Sequence, residues 1–510
     1  MDGYRDRFLV VSNRLPVVFE KKNARWKAKP GSGGLVTALT PVLRERCGAW
    51  VGWAGMPGAI DPEIQRALRE AARELGLTLW PVPLDREEIQ DFYRGFSNEV
   101  LWPLFHDLLA KCNFDPRYWR MYCQVNRKVA EVVARSSREG DFVWIQDYHF
   151  LRAGAELRRR GVANRLGFFL HVPFPAPDLF LRLPWRQQIL DALLQFDLVG
   201  FQTRHDLQNF IGCVEELTQE TEIEESGGSV VEVRARAIHA GQSGRDTFRS
   251  TRAGDFPISI DYRRFAALAK SEQVAAISNR LENELGGLRI LLGVDRLDYT
   301  KGLLHKLRGF RAALGRFPEL RQNVCFVQHV IPSRECVPHY RSLRLELERL
   351  VGEVNGAFGT ASWVPVRYFY HNLSREELSA YYRIADALLV TSLKDGMNLV
   401  AKEFCASNIG EKGVLVLSEF AGAACELGED ALTVNPYDVV GLASTIQRAL
   451  TMGAAERKRR MARLKNIVRE KNVFHWVDSY LRAAVEPRRY LDRDLTIETY
   501  GTRTLAAPTS

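Results

Sequence analysis

The chain has 510 residues, 46% hydrophobic and 26% charged, with 71 Lys+Arg against 62 Asp+Glu and a formal net charge of +9. At about 100–200 residues per domain this predicts two to four globular domains, and it excludes a disulfide miniprotein, a collagen-like repeat and a wholly disordered chain. No apolar run approaches the roughly 18 residues of a membrane-spanning helix, and so mild a basic surplus fits a basic surface, a phosphate-rich small molecule or nucleic acid.

Met1-Asp2-Gly3-Tyr4-Arg5-Asp6-Arg7 is charged and is no signal peptide. The first strand follows at Phe8–Val11. Next come Gly31-Ser32-Gly33-Gly34 and then Leu35, Ala38, Leu39, Val42 and Leu43 at helical spacing. A glycine turn at a helix start lets free N–H groups approach a phosphate. An ordinary flexible loop reads the same way, since neither GxGxxG nor a Walker lysine is present. Buried strands are expected at Phe142–Ile145, Leu166–Leu170 and Leu198–Phe201. Asp147-Tyr148-His149 follows the first of these and His171-Val172-Pro173-Phe174-Pro175 the second, so polar groups stand at strand ends. A lone His there is more often structural, and Asp147-x-His149 has no further ligand at metal spacing.

A stretch without helical periodicity runs from about Gln219 to Ile260, and the domain boundary is expected within it, as a hairpin or loop leading into a linker. A second strand series follows at Ile290–Val294, Val324–Val327, Ala387–Val390 and Val414–Leu417. Two such series predict two doubly wound α/β domains. Arg296-Leu297-Asp298-Tyr299-Thr300-Lys301-Gly302 leaves the strand ending at Val294, and two cations on one strand-end loop can grip two phosphates. A solvated surface loop fits these residues too. After Leu388–Val390 comes Lys394-Asp395-Gly396-Met397-Asn398-Leu399-Val400-Ala401-Lys402-Glu403. Asn398 reads as an N-cap, Leu399 and Val400 offer unpaired N–H groups, and Glu403 stands one turn on, where a carboxylate can take ribose hydroxyls. This constellation points to a nucleotide-sugar site.

Arg158-Arg159-Arg160 and Arg457-Lys458-Arg459-Arg460 lie in helical stretches and read as solvated faces. No aromatic-and-basic repeat supports nucleic-acid binding. The eight cysteines form no CxxC, so zinc spacing is absent, and reduced thiols in a cytoplasm are expected. Residues from Pro487 onward read as a tail.

Taken in order, Ser12-Asn13-Arg14-Leu15-Pro16, Gly33-Gly34, Phe96-Ser97-Asn98 through Leu101-Trp102-Pro103, Asp147-Tyr148-His149, the His171 segment, Arg296–Gly302, Pro332-Ser333-Arg334 and Asp395–Glu403 closely resemble the trehalose-6-phosphate synthase family. These are retaining glycosyltransferases of the GT-B fold, two Rossmann-like domains facing a cleft. The resemblance runs from about residue 7 to about 485. It implies an N-terminal acceptor domain over 1–255, a nucleotide-sugar domain over 256–470, a returning C-terminal helix over 471–488 and a tail over 489–510.

The resemblance also implies roles. Gly33 and Gly34 approach the donor diphosphate, and Arg296 and Lys301 neutralise it. Residues 395–403 (Asp395, Gly396, Met397, Asn398, Leu399, Val400, Ala401, Lys402, Glu403) hold the donor's diphosphate, sugar and ribose, and Leu373 meets its base. His171 and Asp395 hold the transferred glucose. Arg14, Tyr93, Trp102, Asp147 and Arg334 form the acceptor pocket, and Asp147, His171, Arg296, Lys301 and Asp395 form the catalytic set. The implied reaction moves glucose from a nucleoside-diphosphate glucose such as UDP-glucose to glucose 6-phosphate. It gives trehalose 6-phosphate on the front face, with no cofactor and no metal. Ser259, where the family usually has Gly, and Glu335-Cys336 depart from the pattern. A separate phosphatase is expected in the pathway, with no nucleic-acid or membrane partner, and a homo-oligomer is compatible with the chain. The donor base stays open among UDP, GDP and ADP. Rival readings are a glucosylglycerol-phosphate synthase taking glycerol 3-phosphate, a pseudoglycosyltransferase and a non-catalytic regulatory subunit. The last should have lost its sugar- or phosphate-binding residues.

Overall fold

The structure, a computed structural model, describes residues 7–22, 25–31, 34–45, 48–218, 221–227, 229–236, 248–333 and 338–485. In the first half the chain runs through β1 (Phe8–Arg14), the hairpin β2 (Val17–Lys22) and β3 (Arg25–Pro30), β4 (Ala49–Pro57), β5 (Thr78–Leu84), β6 (Phe142–Gln146), β7 (Leu166–Phe169), β8 (Leu198–Phe201), β9 (Thr221–Gly227), β10 (Val230–Arg236) and β11 (Phe248–Asp255). One nine-stranded sheet takes the order β5-β4-β1-β6-β7-β8-β11-β10-β9. Only the pairings of β10 are antiparallel. Leu9, Val11, Val143, Phe168 and Val199 are all 0% exposed, which is why these segments read as unbroken apolar runs.

The second half adds β12 (Arg289–Arg296), β13 (Val324–Ile331), β14 (Val366–Tyr370), β15 (Ala387–Val390), β16 (Val414–Ser418) and β17 (Leu432–Val434). They form an all-parallel sheet of order β14-β13-β12-β15-β16-β17. Strand order reverses beside β12 here and beside β1 in the first sheet. In doubly wound sheets the ligand crevice opens outside the carboxyl ends at such a switch point. Arg14 and Asp147 therefore flank one switch point, and Arg296 and the 391–398 loop flank the other.

One expectation is extended and one corrected. The hairpin expected before the linker is formed by β9 and β10, and with β11, which pairs in parallel with β8, it extends the first sheet by three strands. The crossing itself is the short segment 256–261. The arginine runs are more than solvated faces. Arg158 bridges Asp197 at 2.8 Å and donates to the carbonyls of Val162 and Asn164. Arg457 donates to the carbonyls of Leu450 and Met452. Carbonyls past a helix end lack intrahelical partners, and an arginine fork can satisfy two at once.

The chain crosses back near residue 472. The helix Val473–Val485 packs on the first sheet, where Tyr480 stacks on Trp144 at 4.6 Å and donates to Phe168 O at 3.0 Å. Among the described residues no helix is long and apolar enough to cross a membrane.

Candidate active site

The second half supplies a charged cluster. Gly302 closes the loop after β12 at φ 63° and starts the helix Leu303–Arg316. This turn points Lys301 at the loop after β15, where its Nζ lies 2.6 Å from Asp395 Oδ2. The same oxygen accepts from Ser392 Oγ and Asn398 Nδ2, both at 3.1 Å. Burial alone would raise the Asp395 pKa, but Lys301 and the hydrogen bond from Asn398 hold it below the ordinary value. Asn398 sits at φ 93°, unusual for a side-chain-bearing residue, and its Oδ1 caps the helix Leu399–Ser407 by accepting from Ala401 N at 3.1 Å. The free N–H end of that helix is thereby turned toward the cleft beside Asp395.

Further along this helix the two long side chains diverge. Lys402 is buried, with Nζ 2.6 Å from Glu426 Oε2 and 2.8 Å from Ile258 O. Its ammonium thus serves the interdomain crossing and leaves only its backbone to face a ligand. Glu403 accepts from Tyr382 Oη at 2.9 Å, and burial pushes its carboxyl up to about 7. Leu373 lies just after β14, two residues before Arg375, whose charge reaches Glu403. Arg375 and Arg264 line a cavity of about 350 Å³ together with Gly31, Val36 and Thr40 of the first half. Gly34 opens the helix Gly34–Glu45 on that side. Gly33 and Arg334 lie outside the described residues.

The first half answers with an aromatic wall. Arg14, at the end of β1, lies 4.1 Å over the Trp53 ring and 5.9 Å from that of Tyr93. Burial lowers its pKa, although an arginine stays charged. Tyr93 belongs to the π-helical segment Ile89–Leu101 and stacks on His149 at 5.9 Å. Trp102 follows that segment, 5.8 Å from Tyr148 and 4.2 Å from His106. Asp147 holds φ 74°, and its Oδ1 accepts from the backbone N–H of His171 at 3.2 Å. Strained backbone of this kind concentrates at functional sites. The His171 ring donates from Nε2 to Gln146 at 2.8 Å, while Nδ1 faces Gln202 Nε2 at 3.4 Å, and burial drops its pKa to about 3. It is a neutral imidazole at any physiological pH.

The halves meet around these groups. Arg296 lies 5.9 Å over Trp102. A Cβ on Gly396 would stand 2.2 Å from His171 O, so only glycine lets the two loops touch. Lys394 bridges both carboxylate oxygens of Asp107 at 2.6 Å. His106, its pKa lowered to about 4 chiefly by burial, feels the charges of Asp298, Asp395 and Lys301. Trp53, His106, Tyr382 and the Asp107–Lys394 clasp escape a reading by motif. Of these, His106 and Asp107, four and five residues past Trp102, and Lys394, which opens the 394–403 segment, sit close enough to a recognised segment to have been found.

A cleft with a cationic, capped helix start on one wall and an aromatic, arginine-bearing pocket on the other can hold a nucleotide sugar against a phosphorylated acceptor. The family model described as glycosyltransferase family 20 matches residues 6–486. A trehalose-6-phosphate synthase of Mycobacterium sp. (strain JLS) is 41% identical over 485 residues, 94% of this chain and 96% of the relative. That of Mycobacterium leprae is 42% identical over 486 residues, 94% of each chain. The chain is also similar to the alpha,alpha-trehalose-phosphate synthase (UDP-forming) of Burkholderia xenovorans in complex with glucose-6-phosphate, with TM-score 0.82, 34% identity, and 94% and 99% of the two chains covered. An E. coli structure bound with UDP-2-fluoro glucose matches with TM-score 0.82 and 34% identity, over 95% of this chain and 100% of that one.

Proposed function

The chain belongs to glycosyltransferase family 20, and we propose that it works as a trehalose-6-phosphate synthase, moving glucose from UDP-glucose to glucose 6-phosphate with retention of configuration. The observation that carries the reading is the way the halves meet. Arg296 covers Trp102, and the Lys301–Asp395 pair abuts the His171 loop through Gly396.

In this reading the donor diphosphate lies between the Gly34 helix start, Arg296, Lys301 and the N–H groups of Leu399 and Val400. Glu403 takes the ribose hydroxyls and Leu373 the base. The raised Glu403 pKa suits a carboxylate that awaits hydroxyl donors. Asp395, kept ionised by Lys301, and the His171 loop orient the glucose. Arg14, Tyr93, Trp102 and Asp147, with Arg334, receive the acceptor. The bond from the glucose anomeric carbon to the diphosphate oxygen breaks, and the bond to the acceptor's anomeric oxygen forms on the same face. The acceptor proton moves to the departing diphosphate. Arg296 and Lys301 stabilise the charge that builds there.

Two protein cations at the leaving group are the support for a reaction without a divalent metal. The six described cysteines, all unpaired, support a reducing cytoplasm. The product keeps its 6-phosphate, so this reading includes a phosphatase acting after it, and a homo-oligomer is compatible with this site. A coupled assay of nucleoside-diphosphate release tests the function, with UDP-, GDP- and ADP-glucose crossed against glucose 6-phosphate and glycerol 3-phosphate. Release with UDP-glucose and glucose 6-phosphate is expected. Faster release with glycerol 3-phosphate would move the chain to the sister activity.

A further inference from the structure

At the outer end of the aromatic wall a cavity of about 490 Å³ opens, and Arg14, Trp53, Arg86, Gln90, Tyr93 and Arg94 face it. That size suits a small ligand. Among the described residues three guanidinium groups line it, and no carboxylate does.

The local fold explains the imbalance. Arg86, Gln90 and Arg94 recur every four residues along one helical face, while Phe92 and Phe96 on the other face are fully buried. Of the nearby acids, Glu87 does not line the cavity, and the others are engaged elsewhere. Asp85 and Glu88 close a capping box, and Glu88 also holds Lys128 at 2.8 Å. Asp91 pairs with Arg117 at 3.1 Å. Among the described residues no carboxylate comes within ion-pair distance of Arg86 or Arg94, and the contact of Arg94 is with Gln90 at 3.4 Å. Arg14 is fixed from behind. It stacks on Trp53, whose Nε1 donates to Met56 O at 2.8 Å, and it presses on Gly55 (φ 93°), where a Cβ would stand 2.2 Å from its Nη1. One phosphate dianion on Arg14 leaves the two outer cations uncompensated.

We infer that Arg86 and Arg94 form an outer anion subsite beside Arg14, which strengthens capture of the phosphorylated acceptor and takes a second anionic group when a ligand carries one. The inference rests on the acceptor assignment above. It makes sugar bisphosphates and other small bis-anions competitive inhibitors against the acceptor. Planar guanidinium forks suit phosphate oxygens, and like-signed side chains lining one pocket raise the local anion concentration.

The test is the double variant R86Q/R94Q with pyrophosphate as probe, at saturating donor so that the diphosphate site is filled. In the native enzyme pyrophosphate should compete with glucose 6-phosphate at least tenfold more tightly than orthophosphate does. In the variant that preference should vanish and the acceptor KM should rise about tenfold, with kcat and donor KM unchanged. An unchanged acceptor KM and unchanged pyrophosphate inhibition would overturn the subsite, as would equal effects on donor and acceptor. A calorimetric titration of pyrophosphate into protein saturated with UDP reads the subsite without turnover. Weaker binding by the variant supports it even if glucose 6-phosphate proves not to be the acceptor, and equal binding refutes it.

Discussion

Replacing Lys301 by Ala removes one partner of a pair that is 2.6 Å apart and only 13% exposed on each side. With an effective dielectric of about 20, the gross attraction is about 6 kcal/mol, most of it offset by desolvation of the two charges. Asp395 would keep its hydrogen bonds from Ser392 and Asn398. Folding stability should therefore fall by about 1–2 kcal/mol, less than the roughly 3–5 kcal/mol of an abandoned buried charge. The transition state loses more. A cation aimed at a developing oxyanion is worth about 2.7–4 kcal/mol, so kcat should fall by about 10²–10³. Nucleoside-diphosphate release at saturating substrates measures kcat, and thermal melting measures stability. The Asp395 pKa should also rise without its cation, moving the acid limb of activity to higher pH. An unchanged kcat, or a rate loss that cooling fully restores, would refute the argument.

The pH dependence of Glu403 has a definite sign. Its carboxyl is raised from 4.5 to about 7 by burial, so it costs the free protein nothing below pH 4.5 and progressively more as pH rises through 7. Glu403→Gln should raise Tm at pH 8 but not at pH 4.5, while raising the donor KM; an equal Tm gain at both pH values would contradict the burial argument. Gly396→Ala places a methyl 2.2 Å from His171 O and should lower kcat at least 100-fold with a near-native far-UV spectrum, whereas near-native turnover would show that the loops part freely. Exhaustive EDTA treatment should leave the rate intact, and activity lost to EDTA and restored by Mg²⁺ or Mn²⁺ would overturn the metal-free reading.

The strands that carry the site were legible because they are buried on both faces: Leu291, Leu292 and Leu388 are 0% exposed, and such segments announce themselves as apolar runs. The loops after β6, β12 and β15 could then be read as candidate walls of a crevice. The pairings across those loops were not legible. Lys301 and Asp395 are 94 residues apart, and Lys394 and Asp107 are 287 apart. Strand order brings the first pair together and the meeting of the two halves brings the second, and the composition of a loop encodes neither. Lys402 shows the same limit from the other side. Its place in the helix start suggested a ligand contact, yet one residue's rotation around the helix turns it to Glu426 and the crossing segment. The edge strands β14 and β17 of the second sheet are short or only half-buried and so lack the run of apolar residues that marked that sheet's other four strands.

The two crossings between the halves lie side by side, and this constrains how the cleft can work. Val473 N donates to Ile260 O at 3.0 Å, tying the returning chain to the outgoing one. Between them Lys402 holds Ile258 O from the second half, and Gln202 Oε1 accepts from Ile258 N at 3.0 Å from the first. Any rotation of one half against the other must turn about this double crossing, because the other contacts across the cleft described above, the Asp107–Lys394 pair and the approach of Gly396 to His171 O, are non-covalent and can separate. Gln202 also faces His171 Nδ1, and Lys402 sits on the helix that carries Glu403. The pivot is thus one side chain away from each wall of the cleft. A small change of angle there moves the His171 loop and the helix start of Leu399 relative to each other, the two surfaces between which the transferred sugar has to fit.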